Sequence, residues 1–199
     1  DPARIGYADT LLELRDWEPA QRETAKLEIE YPEDAQVQRA ARLWSVHQMR
    51  ELQVDAGTGE SSGGGGPLGT REHQIETHLY SAPIDRDWRA FLHQFEAQAT
   101  FSDGKGFWRR IGVGAEYRIR DWRASAEINE GYDDESDVGL SVAGDWWAND
   151  QWHLEAAADT SSNDIPLQAR ITGVQGWSLQ AGATYRVSES RSFRAGDER

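Results

Sequence analysis

From Arg50 to the end of the chain, polar and apolar residues alternate with a period of two. That pattern confines roughly three quarters of the 199 residues to strands with two unlike faces. Arg50-Glu51-Leu52-Gln53-Val54-Asp55-Ala56 and Gln74-Ile75-Glu76-Thr77-His78-Leu79-Tyr80 are the first two such runs, each bounded by Gly or Pro. Further strands are expected near 88–101, 107–120, 122–131, 137–147, 151–160 and 173–187, with a last one from 191. The connections alternate as well. Long Gly-, Ser- or charge-rich ones (57–70, 102–106, 131–136, 161–172) take turns with tight ones (83–87, 120–121, 148–150, 188–190). Short turns at one end and long loops at the other are the habit of a transmembrane barrel, whose turns are periplasmic.

Aromatic residues mark the tight turns. Trp88, Trp122 and Trp152 each follow one, and Tyr80, Tyr117, Trp146 and Tyr185 precede them. Together these seven form a ring at one height, as the girdle at a bilayer interface does; residues of a soluble core have no reason to gather beside turns. With the Trp side outward, Trp122, Ala124, Ala126 and Ile128 face lipid, as do Val138 to Trp146 in steps of two. Phe107, Arg109, Ile111, Val113, Ala115, Tyr117 and Ile119 form a third outward set, and Trp177 to Val187 a fourth. The opposite face is assigned Glu76, Glu96, Glu116, Glu127, Asp145, Glu155 and Asp159, with Arg110, Arg118, Arg123 and Arg186 among them. Burying so many charges in a small filled barrel costs too much, so a wide, water-filled, acidic lumen is expected. His93 falls outward between Phe91 and Phe95 on this assignment, which calls for a bulge in that strand.

No apolar run approaches the roughly 20 residues of a membrane helix, and only strands are left to cross a bilayer. Nine Trp, six Tyr and five Phe are a heavy aromatic load for a chain with 28% charged residues, and the net charge of -14 speaks against a nucleic-acid ligand and for a cationic or neutral one. There is no Cys, hence no disulfide framework. Before the strands, residues 3–31 read as two short helices (Ile5, Ala8, Leu11, Leu12, Leu14; Ala20, Ala25, Leu27, Ile29), with Pro19 suited to a first helical position. A third runs from about Asp34 to Gln48 with Val37, Ala40, Ala41 and Trp44 on one face. Ala8, Leu11, Ala20, Leu27 and Pro32 fall at tetratricopeptide spacing, although Arg4 and Thr24 stand where that repeat prefers large apolar residues. Two domains are therefore expected: 1–48, the C-terminal end of a periplasmic tetratricopeptide-like domain, and 49–199, the N-terminal half of an outer-membrane barrel with about nine strands. The absence of an initiator Met and the stop at Gly196-Asp197-Glu198-Arg199 lead us to expect a fragment.

Catalytic and metal chemistry is barely visible. His47, His73, His78, His93 and His153 are scattered, and His73 and His78, five apart on one strand, point to opposite faces. No metal site, cofactor or catalytic residue is expected. Asp133-Asp134-Glu135 is an acidic loop tip, Gly63 to Gly66 lacks the Lys-Ser/Thr of a phosphate loop, and nothing singles out Glu127 and Asp145 as a glycosidase pair. Ser125 and Ser141 have no recognisable inward His to activate them. An outer-membrane barrel enzyme, and a soluble tetratricopeptide protein fused to a β-rich carbohydrate-binding module, are the alternatives to a pore.

The order of parts and several short motifs resemble the outer-membrane exporters of poly-β-1,6-N-acetyl-D-glucosamine (the PgaA or HmsH type). The motifs are Val46-His47-Gln48-Met49-Arg50-Glu51-Leu52, Tyr80-Ser81-Ala82-Pro83-Ile84 with Asp87-Trp88-Arg89, Gly104-Lys105-Gly106, and Ile165-Pro166-Leu167-Gln168-Ala169 with Gly173-Val174. The resemblance implies about half of a sixteen-stranded porin behind a periplasmic helical domain. It further implies export of a partly de-N-acetylated, partly cationic biofilm polysaccharide, and a periplasmic deacetylase and an inner-membrane synthase as partners.

Overall fold

A computed structural model describes residues 2–60, 71–101, 104–132, 138–161, 167–170, 174, 176–188 and 191–198. The acidic tip 133–135, the glycine run 63–66, Ile165, Pro166 and Gly173 lie outside them. Three helices, α1 (Pro2–Glu13), α2 (Trp17–Glu30) and α3 (Ala35–His47), precede nine strands. The strands are β1 (Glu51–Glu60), β2 (Arg71–Tyr80), β3 (Trp88–Phe101), β4 (Gly104–Arg118), β5 (Trp122–Gly131), β6 (Val138–Trp147), β7 (Trp152–Asp159), β8 (Ser178–Ser188) and β9 (Arg191–Glu198). A four-residue helix, α4 (Leu167–Arg170), lies between β7 and β8.

The nine strands form one antiparallel meander in sequence order, an open sheet with β1 and β9 at its edges. Alternation within each strand gives the sheet an outer face of exposed Leu79, Leu92, Ile111, Val113, Ile128, Leu140 and Leu179, and an inner face that buries Tyr80, Phe91, Phe95, Trp108 and Glu116. One cavity is lined by inner-face residues from β1 (Gln53, Asp55) through β8 (Ser178, Gln180), so the sheet curls around it. A row of exposed aliphatic side chains of this length has no place in water, and lipid is the solvent that suits it. Among the described residues, no helix is long and apolar enough to cross a membrane.

The helices pack on their own small core, with Ile5, Ala8, Leu27 and Val37 in one cluster and Leu11, Leu12, Ala20 and Ala40 in another, covered by Trp17 and Trp44. The second helix departs from expectation. Thr24 is buried in place of a large apolar residue, while Ala25 and Ile29 are exposed. Pro19 sits at the third helical position rather than the first, still within the turn whose N–H groups need no helical acceptor. Arg4 spends its guanidinium on Glu23 (2.8 Å) and Glu30 (2.5 Å). Between α1 and α2, Asp16 N donates to Leu11 O (2.9 Å) and Arg15 N to Leu12 O (3.2 Å), with Arg15 at φ 58°, a Schellman ending without its usual glycine. Asp34 caps α3 by accepting from the amides of Gln36 (2.8 Å) and Val37 (3.3 Å).

The helices touch the sheet at its tight-turn end. Arg86 of the β2–β3 turn lies 3.7 Å from Glu18, and Arg89 donates to the carbonyl of His47 (2.9 Å). Asp85 and Arg86 hold positive φ (50° and 70°) in a three-residue turn, Asp85 to Asp87, and Ile84 and Trp88 bond each other across it.

Candidate functional site: the inner wall

Side chains directly opposite each other in an antiparallel pair share a face, so the register decides which residues line the wall. Trp88 pairs with Tyr117, Trp122 with Trp146 and Trp152 with Tyr185. These six are outward at one height, in cross-strand pairs with ring centroids 4.9, 5.3 and 4.8 Å apart. Tyr80 leaves the ring. It pairs with Phe91 rather than with an outward aromatic, and both are buried on the inner side, 5.4 Å apart.

Strand β3 corrects two further assignments. Its register runs without a bulge from Trp88↔Tyr117 to Phe101↔Gly104. Residues an even number of steps from Trp88 therefore stay outward, and Glu96 is among them, 3.5 Å from the equally outward Arg109. Phe91, His93 and Phe95 are inward and buried. Both faces of this strand carry apolar groups, which removes the contrast that alternation relies on. Counting steps of two from Trp88 was the available signal.

The other six carboxylates, Glu76, Glu116, Glu127, Asp145, Glu155 and Asp159, share the inner face. Each has a cationic or polar neighbour. Glu116, 1% exposed, lies 2.9 Å from Arg118 and 2.8 Å from Arg123. Arg110 donates to Asp159 (3.0 Å) and to the carbonyl of Ser161 (2.9 Å). Ser141 Oγ donates to Asp159 (2.9 Å) and accepts from Asn129 (2.9 Å), so this serine is engaged by a carboxylate and an amide. Asp145 meets His153 at 3.0 Å, and Glu155 is paired with Arg194. His93 Nδ1 lies 3.0 Å from both oxygens of Glu127, and its Nε2 is 3.1 Å from Glu76 Oε1.

Inner-face glycines make room for these groups. A Cβ at Gly112 would run into Glu127, one at Gly114 into Phe91, one at Gly131 into Trp108 and one at Gly182 into Glu155. Large inward side chains thus lie flat over neighbouring strands instead of filling the space in front of them. The wall keeps its charge and stays open.

Two groupings escaped sequence reasoning, because their members come from different strands. Glu76, His78 and His93 gather on β2 and β3, and Asp145, His153 and Glu155 on β6 and β7; in each group the candidate ligand atoms lie within 4.8 Å of one another. His78 stacks on His93 at 4.1 Å, and His73 faces the other way, as its odd spacing requires. His47 belongs to neither. It stacks on Trp17 at 3.6 Å, and burial, with the charge of Arg89 second, holds its pKa down to about 4.

Residues 46–197 match a family described as the PgaA membrane β-barrel domain. The poly-β-1,6-N-acetyl-D-glucosamine export protein of Escherichia coli (strain K12) is 31% identical over 190 residues, 95% of this chain but 23% of that protein. The protein of the same name from Escherichia coli O157:H7 aligns with the same figures. Among solved structures, one described as a bacterial polysaccharide outer membrane secretin superposes with a TM-score of 0.67 at 27% identity, covering 76% of this chain and 50% of that one. The chain thus spans less than a quarter of the curated relatives it matches.

Proposed function

The chain belongs to the PgaA membrane β-barrel family, and from that premise we propose that the full-length protein exports partly de-N-acetylated poly-β-1,6-N-acetyl-D-glucosamine across the outer membrane. The observation that carries the reading is the sorting of charge: six carboxylates on the inner wall, and aliphatic and aromatic groups on the outer one. A polymer with some free amines is cationic. Carboxylates along its path attract it in many weak steps, and each must also let go, as conduction requires. Glu76, Glu127 and Asp145 suit this role because the close ion pairs they make are with histidines.

The outward Trp88, Tyr117, Trp122, Trp146, Trp152 and Tyr185 serve as the girdle against lipid headgroups. Residues 1–48 act as the periplasmic end of a tetratricopeptide-like domain, and 49–199 as the first half of the barrel. Docking of the helices at the tight-turn end supports this, since tight turns are the periplasmic ends of such barrels. A deacetylase and a synthase supply the polymer on this reading, and the barrel itself performs no bond chemistry.

The test is export by a strain carrying Asp145→Asn and Glu155→Gln in the full-length protein, two partly exposed positions whose change leaves the buried His93, Glu116 and Arg110 pairs alone. Surface polymer is expected to fall and periplasmic polymer to accumulate, with the barrel still inserted. Normal export from such a strain overturns the reading.

A further inference from the structure

We propose that Glu76, His78 and His93 form a divalent transition-metal site on the inner wall, best matched to Zn²⁺, with Glu127 as the outer carboxylate that orients His93. The β2–β3 register sets His78 directly opposite His93, with Glu76 two residues away on the same face. Their ligand atoms all lie within 4.8 Å of one another. His93 is 4% exposed, and Glu127 occupies its Nδ1 side at 3.0 Å. That arrangement directs Nε2 into the cluster. A carboxylate on the far nitrogen is how metal-binding histidines are held.

The second observation is independent of the grouping. His93 Nε2 is buried, and its contact with Glu76 Oε1 at 3.1 Å lies off the line of a well-formed hydrogen bond. A metal ion would engage that nitrogen directly, with Glu76 as its neighbouring ligand. Two imidazoles and a carboxylate suit zinc, whereas calcium and magnesium want oxygen throughout.

One adjustment is required. The imidazole lone pair lies in the ring plane, and the His78 and His93 rings are stacked 7° from parallel, so both cannot point at one ion as they stand. His78 is only partly buried and must turn its ring to complete the set, leaving a fourth position open to the cavity that these residues line. An ion here would offset the charges of Glu76 and Glu127. Its effect on cargo rests on the export reading; its binding does not.

The experiment is a Zn²⁺ titration, by calorimetry, of the tag-free full-length protein in detergent after stripping with EDTA. Loss of affinity of about 10- to 100-fold is expected for Glu127→Gln, the range for outer carboxylates, and at least as much for His93→Gln and His78→Gln. His153→Gln, in the other cluster, is expected to leave the titration unchanged, because His153 lies on β7 beside β6, apart from the β2–β3 set. Anomalous diffraction from zinc-soaked wild-type crystals checks the site without any variant, with a peak expected about 2.0–2.1 Å from His93 Nε2. Absence of saturable binding, a zinc peak elsewhere only, or loss of binding in His153→Gln rather than His93→Gln overturns the proposal.

Discussion

Gly114→Ala tests the argument that inner-face glycines hold the wall open. Gly114 is opposite Phe91, and an added Cβ would overlap that ring and stand 2.5 Å from the carbonyl oxygen of Ala126. Phe91 is 5% exposed, with Tyr80 at 5.4 Å and His78 at 5.7 Å, so it has little room to turn. The carbonyl belongs to the backbone of β5 and cannot rotate away. Reaching an ordinary contact of about 3.4 Å means moving a strand by nearly 1 Å, and the expected cost is about 3 kcal/mol, the upper end for overpacking by one methyl group. Gly112→Ala meets the Glu127 side chain first, which can swing at the expense of its contact with His93, and about 1–2 kcal/mol is expected. Gly144 is on the outer face, where the nearest atom to a Cβ is Arg123 O at 3.6 Å. Gly144→Ala is therefore expected to be neutral, or to stabilise by about 0.5 kcal/mol through the lost flexibility of glycine. Urea unfolding of the full-length protein in lipid, followed by the shift of the unboiled band on a gel, ranks the three. A Gly114→Ala midpoint equal to that of Gly144→Ala refutes the reasoning.

Three other perturbations follow from the same structure. Asp159→Asn removes the carboxylate that faces the 4%-exposed Arg110, and a loss of about 3 kcal/mol in urea unfolding is expected, the low end for breaking a buried pair because Asp159 still meets lumen water. Arg15→Gly places glycine at φ 58° after α1, and a gain of about 1 kcal/mol in helix stability by thermal circular dichroism is expected, the lower bound for relieving a left-handed L-residue. His47 has a folded pKa of about 4 against 6.5 unfolded, so the unfolded state binds the extra proton in that window. Its contribution is complete above pH 6.5 and is lost as pH falls towards 4, an effect of order 2 kcal/mol after allowing for partial exposure. Unfolding of the helical segment measured against pH is expected to flatten over this range in His47→Phe, which keeps the ring stack on Trp17; an unchanged pH slope argues against His47 as its source.

Local chemistry alone determined the strand order, the alternation of tight and long connections apart from 102–106, where only two residues separate β3 from β4, and the outward side of six of the seven turn-flanking aromatics. Each follows from neighbours within a few positions: a period of two, a turn, an aromatic beside it. The helices were legible for the same reason, apart from the face of α2. Thr24 lies in its core because the positions facing α1 and α3 are set by packing, not by hydrophobicity.

What the tertiary structure decided is everything that depends on which strand faces which, and on how tightly the wall is packed. Tyr80, Phe91 and Phe95 turned out inward because inner-face Gly114 and its neighbours leave space for rings on that side, a complementarity between strands that no single strand displays. Glu96 turned out outward because an unbroken register carries the parity of Trp88 along all of β3. The meeting of His78 with His93, and the reach of Glu127 from β5 to His93, join residues 15 and 34 positions apart. Sequence spacing is blind to such contacts, since a sheet sets lateral neighbours by hydrogen-bond register, and register is fixed only when whole faces pack.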